Sequence, residues 1–420
     1  MVFAFMSLKR VEPVMADFGA ADIDTFRAEV RAWLEANYPP ELKAADAKTD
    51  PEAVWGGRAF DGSDDPQSVW MRRAAAKGWT APAWPAEYGG GGLTAPQARI
   101  VEQELARGHY RPPLLSFGIW MLGPVLLEYG NEAQKKEHMP RITRGEVRWC
   151  QGYSEPGAGS DLASLATKCE DKGDHWQIDG QKVWTSYADK ADWCFCLVRT
   201  DASKKHEGIS FVLIDMRSEG VETRPIQLIS GESPFCETFF TSVKIPKENL
   251  VGKINGGWEI AKRLLQYERQ NISAGFGEGG TSGGASGDLG EVAKTYVGLE
   301  GGKLSDLDLR RRITLNKMNF QALRQTIGRT AAESRAANGP SAATSIIKYA
   351  SAEFAKERSE LMVEAMGGQG LGWTGDGFSE PERLAVRGWL RTKANSIEGG
   401  TSEINLNVVS KRVLGLPDPK

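Results

Sequence analysis

Residues 152–164 read GYSEPGAGSDLAS, a loop rich in glycine, alanine and serine. These residues present backbone N–H groups and hydroxyls without side-chain bulk, which suits contact with a phosphate, a flavin edge or a thioester. A tight surface turn has a similar composition, so the loop alone leaves both interpretations open. The patterns on either side of the loop indicate the fold class.

Helical patterns precede this loop, strand patterns follow it, and helical patterns return afterwards. Apolar residues recur at helical spacing over residues 23–38 and again over 309–331. Residues 176–245 contain several short alternating stretches, and the dipeptide Asp179-Gly180 predicts a hairpin turn between two of them. This order predicts an α+β fold.

The same patterns predict three domains and one extension. We place a helical N-terminal domain at 20–146, a β domain at 147–252 and a helical C-terminal domain at 253–420. Residues 1–19 precede the first helical pattern, and we interpret them as a disordered extension. For residues 1–14 the alternative is the product of a misplaced start.

Composition excludes several classes of protein. The formal net charge of −3 over 420 residues is too small to attract nucleic acid, and no apolar run is long enough to span a membrane. The five cysteines form no Cys-x-x-Cys pair, and the four histidines show no metal-ligand spacing. We therefore expect a protein of the reducing cytoplasm with no metal site and no nucleic-acid or membrane partner.

The loop resembles the signature of the acyl-CoA dehydrogenases, and other segments resemble that family in the same order. They are GWTAPAWP at 78–85, YGG at 88–90, DGQKVW at 179–184 and GTSEI at 400–404. The resemblance implies an N-terminal helical domain, a β-barrel-like middle domain and a C-terminal four-helix bundle. It also implies FAD as cofactor, an acyl-CoA substrate oxidised to the trans-2-enoyl-CoA, an electron-transfer flavoprotein as acceptor, and a homotetramer or heterotetramer.

The resemblance assigns roles to residues at matching positions. Ser154 matches a hydroxyl that bonds the flavin, and Ser160 matches a position near the thioester arm of the substrate. The other matches to cofactor-binding positions are Trp184 and Ser186 beside the flavin ring and Thr401 and Glu403 near its adenylate end.

The reaction requires a base that removes the α proton while the β hydrogen leaves as hydride to flavin N5. Many family members carry that glutamate directly before the Gly-Thr of the C-terminal motif, where this chain has Gly399. The isovaleryl and long-chain branches instead carry it in a Leu-x-x-Glu-Arg segment, which Leu265–Arg269 matches. We predict Glu268 as the base, with Arg269 binding substrate and Glu398 in reserve. Helical spacing also makes Glu268 the one charge in an apolar stripe, and a structural ion pair is the alternative interpretation of that acid.

The sequence departs from the family pattern in two places that concern FAD. The Arg-x-x-Phe-Gly segment that usually contacts FAD is missing, and Glu364 replaces a glutamine before Gly367-Gly368. An acid beside the flavin pyrophosphate would repel it. The alternatives are therefore a dehydrogenase with a branched, long or ring-bearing substrate, a subunit of a heteromeric steroid side-chain dehydrogenase, or a flavoprotein relative that is not a dehydrogenase.

Overall fold

The computed structural model describes residues 20–43, 50–60, 63–275, 288–336 and 344–417. It divides the chain into two compact units. The first unit runs to Leu115 and includes Thr143–Glu146, and the second contains Ser116–Ile142 and everything from Val147 onwards. None of the described helices is long and apolar enough to cross a membrane.

The first unit is built on three helices, α1 (Ala20–Asn37), α2 (Pro66–Ala76) and α3 (Ala95–Arg107). Asp65 caps α2 by accepting a hydrogen bond from the N–H of Gln67, and Thr94 opens α3 with a capping box. The predicted stripe of α1 is confirmed, because Val30 and Leu34 are buried in the core of this unit.

The middle of the second unit is an eight-stranded sheet. In chain order its strands are β1 (Trp149–Gly152), β2 (Lys168–Asp171), β3 (His175–Ser186), β4 (Trp193–Arg199), β5 (Ile209–Asp215), β6 (Val221–Ile226), β7 (Phe235–Pro246) and β8 (Leu250–Val251). Their spatial order is β6-β7-β3-β2-β4-β5-β8, and β1 runs parallel to β4. Strands β4 and β5 are buried along nearly their whole length, which explains their continuous apolar runs.

The hairpin predicted at Asp179-Gly180 is wrong, because β3 continues through both residues. The carboxylate of Asp179 accepts a hydrogen bond from the N–H of Ser242 on β7, at 2.6 Å. Gly180 lies against Thr167, where an added Cβ would meet the hydroxyl oxygen at 2.6 Å. Pairing with two neighbouring strands therefore overrides the local turn preference and leaves only an irregularity in register.

Helices and one short hairpin make up the other regular elements of the second unit. A π-helical turn (Gly118–Leu122), α4 (Gly123–Tyr129) and α5 (Glu132–Thr143) precede the sheet. After it come α6 (Gly257–Gly275), α7 (Leu289–Val297), a short hairpin of β9 (Leu299–Glu300) and β10 (Lys303–Leu304), α8 (Leu307–Ala336), α9 (Thr344–Ala365), α10 (Glu380–Thr392) and α11 (Ser402–Val408). Helix α9 contacts α6, α7, α8, α10 and α11. The predicted order of helices, strands and helices is confirmed.

Gly257 allows α6 to begin directly on the sheet. A Cβ at this position would lie 2.4 Å from the backbone carbon of Ser210 on β5. Because only glycine permits so close an approach, the start of α6 is fixed against the strand. The next turns of α6 bury Ala261 and Leu264.

Candidate active site

The small-residue loop leaves β1 and crosses the end of β3. Its turn is closed by two backbone hydrogen bonds between Glu155 and Ala158, at 3.0 and 3.1 Å. The hydroxyl-bearing Ser154 is half-buried before this turn, and Ser160 is exposed after it. Gly157 and Gly159 face open space, since an added Cβ would meet nothing within 4 Å at either position. The loop therefore presents backbone and hydroxyl groups, as its composition predicts.

Trp184 interrupts β3 in an unusual conformation. Its φ angle is +59°, in the left-handed region, and it lies where the register between β3 and β7 shifts. Its indole is 56% exposed, and its ring centre lies 6.1 Å from that of Phe235 in an edge-on arrangement. A bulky residue held at positive φ carries strain on the order of 1–3 kcal/mol, which is common at functional sites. The bulge turns the indole out of the sheet.

Ser154, Trp184 and Ser186 are brought together where the loop meets the end of β3. The N–H of Val183 donates to the carbonyl of Ser154 at 2.9 Å, which places the loop beside the tryptophan. Ser186 is paired with Phe235 on β7, and it is half-buried. The three residues predicted to contact the flavin ring therefore lie close together around the end of β3.

A buried ion pair that the sequence patterns did not predict lies next to these residues. The ammonium of Lys182 donates to a carboxylate oxygen of Glu155 at 2.8 Å and to the carbonyl of Tyr153 at 3.2 Å. The signal was available, because Lys182 stands at an inward position of β3, in phase with the buried Trp176 and Ile178. A lysine at such a position requires a partner.

The C-terminal segment reaches the same end of β3 through Arg391 at the end of α10. The Arg391 guanidinium lies 5.6 Å from the ring centre of Phe235. It also donates two hydrogen bonds to the carboxylate of Glu398, at 2.8 and 3.3 Å. The reserve base is therefore already occupied by an arginine, and the sequence did not reveal this pairing.

Thr401 and Glu403 lie at the start of α11. The Thr401 hydroxyl caps this helix by accepting a hydrogen bond from the N–H of Ile404 at 3.2 Å. Glu403 is exposed, and its pKa is lowered by hydrogen bonds from its own N–H and from Thr401. The neighbouring Ser402 is buried, and its hydroxyl has no partner within the described part of the chain.

Glu268 and Arg269 belong to α6, and the structure describes their backbone but not their side chains. Position 268 follows Ala261 by seven residues and Leu264 by four, so it continues the face that buries those two side chains. Position 268 therefore lies on the same helix face as Ala261 and Leu264.

The structure alters the interpretation of Glu364 on α9. Arg312 on α8 donates two hydrogen bonds to this carboxylate, at 2.6 and 2.8 Å. The arginine compensates the negative charge that was expected to repel a pyrophosphate. The family's amide is thus replaced by an ion pair and not by an isolated acid.

The residues present fit a flavin. The exposed indole of Trp184 offers an aromatic surface, the hydroxyls of Ser154 and Ser186 lie beside it, and Gly157 and Gly159 leave room for close approach. Among the described residues, no group of three or more His, Cys, Asp or Glu side chains could hold a metal ion.

Comparison with known families identifies matches along nearly the whole chain. The N-terminal domain of acyl-CoA dehydrogenases matches residues 20–146, the middle domain matches 150–243, and the C-terminal domain matches 255–414. The acyl-CoA dehydrogenase IpdE1 of Mycobacterium tuberculosis is 36% identical over 397 residues, which cover 94% of this chain and 98% of that protein.

Solved structures give the same result. The Tcur3481-Tcur3483 steroid ACAD aligns with a TM-score of 0.73 and 27% identity, covering 96% of this chain and 99% of the other. The ChsE4-ChsE5 complex from Mycobacterium tuberculosis aligns with a TM-score of 0.71 and 27% identity, covering 96% and 100%.

Proposed function

Since the chain belongs to the acyl-CoA dehydrogenase family, whose members are FAD-dependent oxidoreductases, we propose that Glu268 is its catalytic base. We further propose that Ser154, Trp184 and Ser186 hold the flavin ring. The observation that carries this proposal is Trp184, an exposed indole held at positive φ beside two hydroxyls. When bound, FAD accepts the β hydrogen as hydride.

A base for this reaction has to accept a weakly acidic α proton. A carboxylate in an apolar, poorly solvated environment is a stronger proton acceptor than one in water or one bound to arginine. Position 268 lies on the buried face of α6, whereas the Glu398 carboxylate accepts two hydrogen bonds from Arg391. These placements favour Glu268, with Arg269 as its substrate-binding neighbour.

For the remaining site residues we propose the roles that their positions suggest. Ser160, exposed beyond the loop turn, contacts the thioester arm of the acyl-CoA. Thr401 and Glu403, at the start of α11, lie near the adenylate end of FAD.

The test of the base compares two matched substitutions. We expect Glu268→Gln to bind FAD normally and to lose at least about a hundredfold in turnover, the usual contribution of a general base. Glu398→Gln should keep most of its turnover. Both are measured by bleaching of the visible flavin band with acyl-CoA in the absence of oxygen. An active Glu268→Gln beside an inactive Glu398→Gln would show that the base assignment is wrong.

We propose a ring-bearing acyl-CoA as substrate and a heteromeric assembly as the working form. Two observations support this: the relatives include a steroid ACAD and a two-component complex, and Glu364 with Arg312 replaces the amide that usually meets FAD. The competing assembly is a homotetramer. If the chain purified alone is yellow and is bleached by straight-chain acyl-CoA, the homomeric alternative holds. A colourless chain that gains flavin on co-expression with a sister chain supports the heteromer.

We also propose that electrons pass to an electron-transfer flavoprotein and that the enzyme works in the cytoplasm. All five cysteines are free thiols and are buried, which agrees with a reducing compartment. Stopped-flow reduction of a purified electron-transfer flavoprotein by the substrate-reduced enzyme tests the acceptor.

A further inference from the structure

The Lys182–Glu155 pair joins three segments of backbone with buried charges. The Lys182 side chain is fully buried, and its ammonium contacts the carbonyl of Tyr153 and the carboxylate of Glu155. That carboxylate also accepts the N–H groups of Ala166 and Thr167, at 2.6 and 2.9 Å. One ion pair thus connects β3, the start of the loop and the approach to β2.

The acid of this pair is ionised in spite of its burial. Burial is the largest influence on the pKa of Glu155 and raises it, but the charge of Lys182 and the hydrogen bonds together outweigh burial and lower the pKa. Both charges lose their hydration, and a well-packed apolar pair often stabilises a fold equally well. Stability alone is therefore a weak explanation for an ion pair here.

The position of the pair relative to the proposed flavin contacts is more informative. The Lys182 ammonium donates to Tyr153 and to Glu155, which are the residues on either side of Ser154. Lys182 lies two residues before Trp184, and Val183 between them donates to the carbonyl of Ser154. A bulky residue keeps a left-handed φ only when the surrounding structure constrains it from several sides. The pair supplies such constraints on both neighbouring segments.

We propose that Lys182 and Glu155 are positioning residues that set the distance and orientation between Ser154 and Trp184. This inference rests on the proposed roles of those two residues at the flavin ring. Neither member of the pair is required to touch the cofactor, because both act through the backbone they hold.

The test separates positioning from folding by two variants of the holoenzyme, purified with its sister chain if FAD binding requires one. Lys182→Met alone leaves Glu155 buried without its partner, and we expect it to be unstable. The double variant Lys182→Met with Glu155→Gln removes both charges and keeps one amide oxygen, which can accept the N–H of Ala166 or that of Thr167. Lys168→Met, at an exposed site on β2, is the matched control.

We expect the double variant to fold and to melt at a higher temperature than Lys182→Met alone, because it leaves no unpaired buried charge. We also expect it to bind FAD at least about tenfold more weakly than the wild type and to show altered visible circular dichroism of the bound flavin. The control should match the wild type in all three measurements. A folded double variant with wild-type FAD affinity and circular dichroism would overturn the inference. A double variant that does not fold would also overturn it, because the role of the pair would then be purely structural. Wild-type protein that takes up no FAD in any assembly would instead refute the proposed function.

Discussion

Glu104, in the first unit, is a buried acid bound by three arginines, and its ionisation should stabilise the fold. Its carboxylate is 1% exposed and accepts hydrogen bonds from Arg27, Arg31 and Arg107 at 2.6–3.2 Å. The hydrogen bond from Arg31 is the largest cause that lowers its pKa from 4.5 to about 2. At about 1.4 kcal/mol per pKa unit, this shift corresponds to roughly 3 kcal/mol. Because the arginines are partly in water, which screens them, we expect about 2 kcal/mol.

The sign of the pH dependence follows from the lowered pKa. The folded state holds Glu104 ionised, so this stabilisation is complete above pH 4.5 and is lost as the pH falls towards 2. Urea unfolding of wild type and Glu104→Gln should therefore differ by about 2 kcal/mol at pH 7 and by progressively less below pH 4.5. Glu29→Gln, on the exposed face of α1, is the control and should change little. A difference that is absent at pH 7, or equally large in acid, would refute this reasoning.

Three further predictions concern the second unit. Trp184→Gly should have a free energy of unfolding about 1 kcal/mol higher than Trp184→Ala in urea, because only glycine adopts the positive φ without strain. Equal free energies would argue against that strain. His138 is buried between Trp149 and Trp193, and burial lowers its pKa below 6.5, so wild type should lose unfolding free energy as the pH falls below 6.5. His138→Phe should show a flatter profile between pH 7.5 and 5.5, and an unchanged profile would contradict this. Arg391→Met should cost no more than about 1 kcal/mol, since its partner carboxylate is 37% exposed, and a larger loss in urea unfolding would contradict that estimate.

The order of elements was predictable because it depends on local periodicity. Helical spacing in α1 and alternation in β3 each reflect one buried face, and the structure buries those faces. The closeness of Ser154 and Trp184 was expected only through family resemblance, because no local pattern reports which strand a loop crosses. The backbone hydrogen bond from Val183 to the loop residue Ser154 provides the physical reason.

What the sequence did not predict depends on contacts that form only when the chain folds. The dipeptide Asp179-Gly180 has the local preference of a turn, yet hydrogen bonding of Asp179 to Ser242 keeps it within a strand. Arg391 lies only seven residues before Glu398, yet no helical spacing predicts this pair, because the two side chains meet only after the chain turns at the end of α10. Short-range rules fail where a long-range contact supplies more free energy than the local preference.

Two ion pairs between arginine and glutamate in the C-terminal helices bear on which acid is the catalytic base. Three acids stand at or near positions where the family meets cofactor or substrate: Glu268, Glu364 and Glu398. The structure ties Glu364 to Arg312 and Glu398 to Arg391, each by two hydrogen bonds. An arginine stabilises the ionised carboxylate and occupies its lone pairs, so a carboxylate bound in this way is a poor acceptor for a weakly acidic proton. Proton removal by Glu398 would first require its ion pair with Arg391 to open, whereas position 268 continues the helix face that buries Ala261 and Leu264. Turnover of Glu268→Gln decides between these two routes.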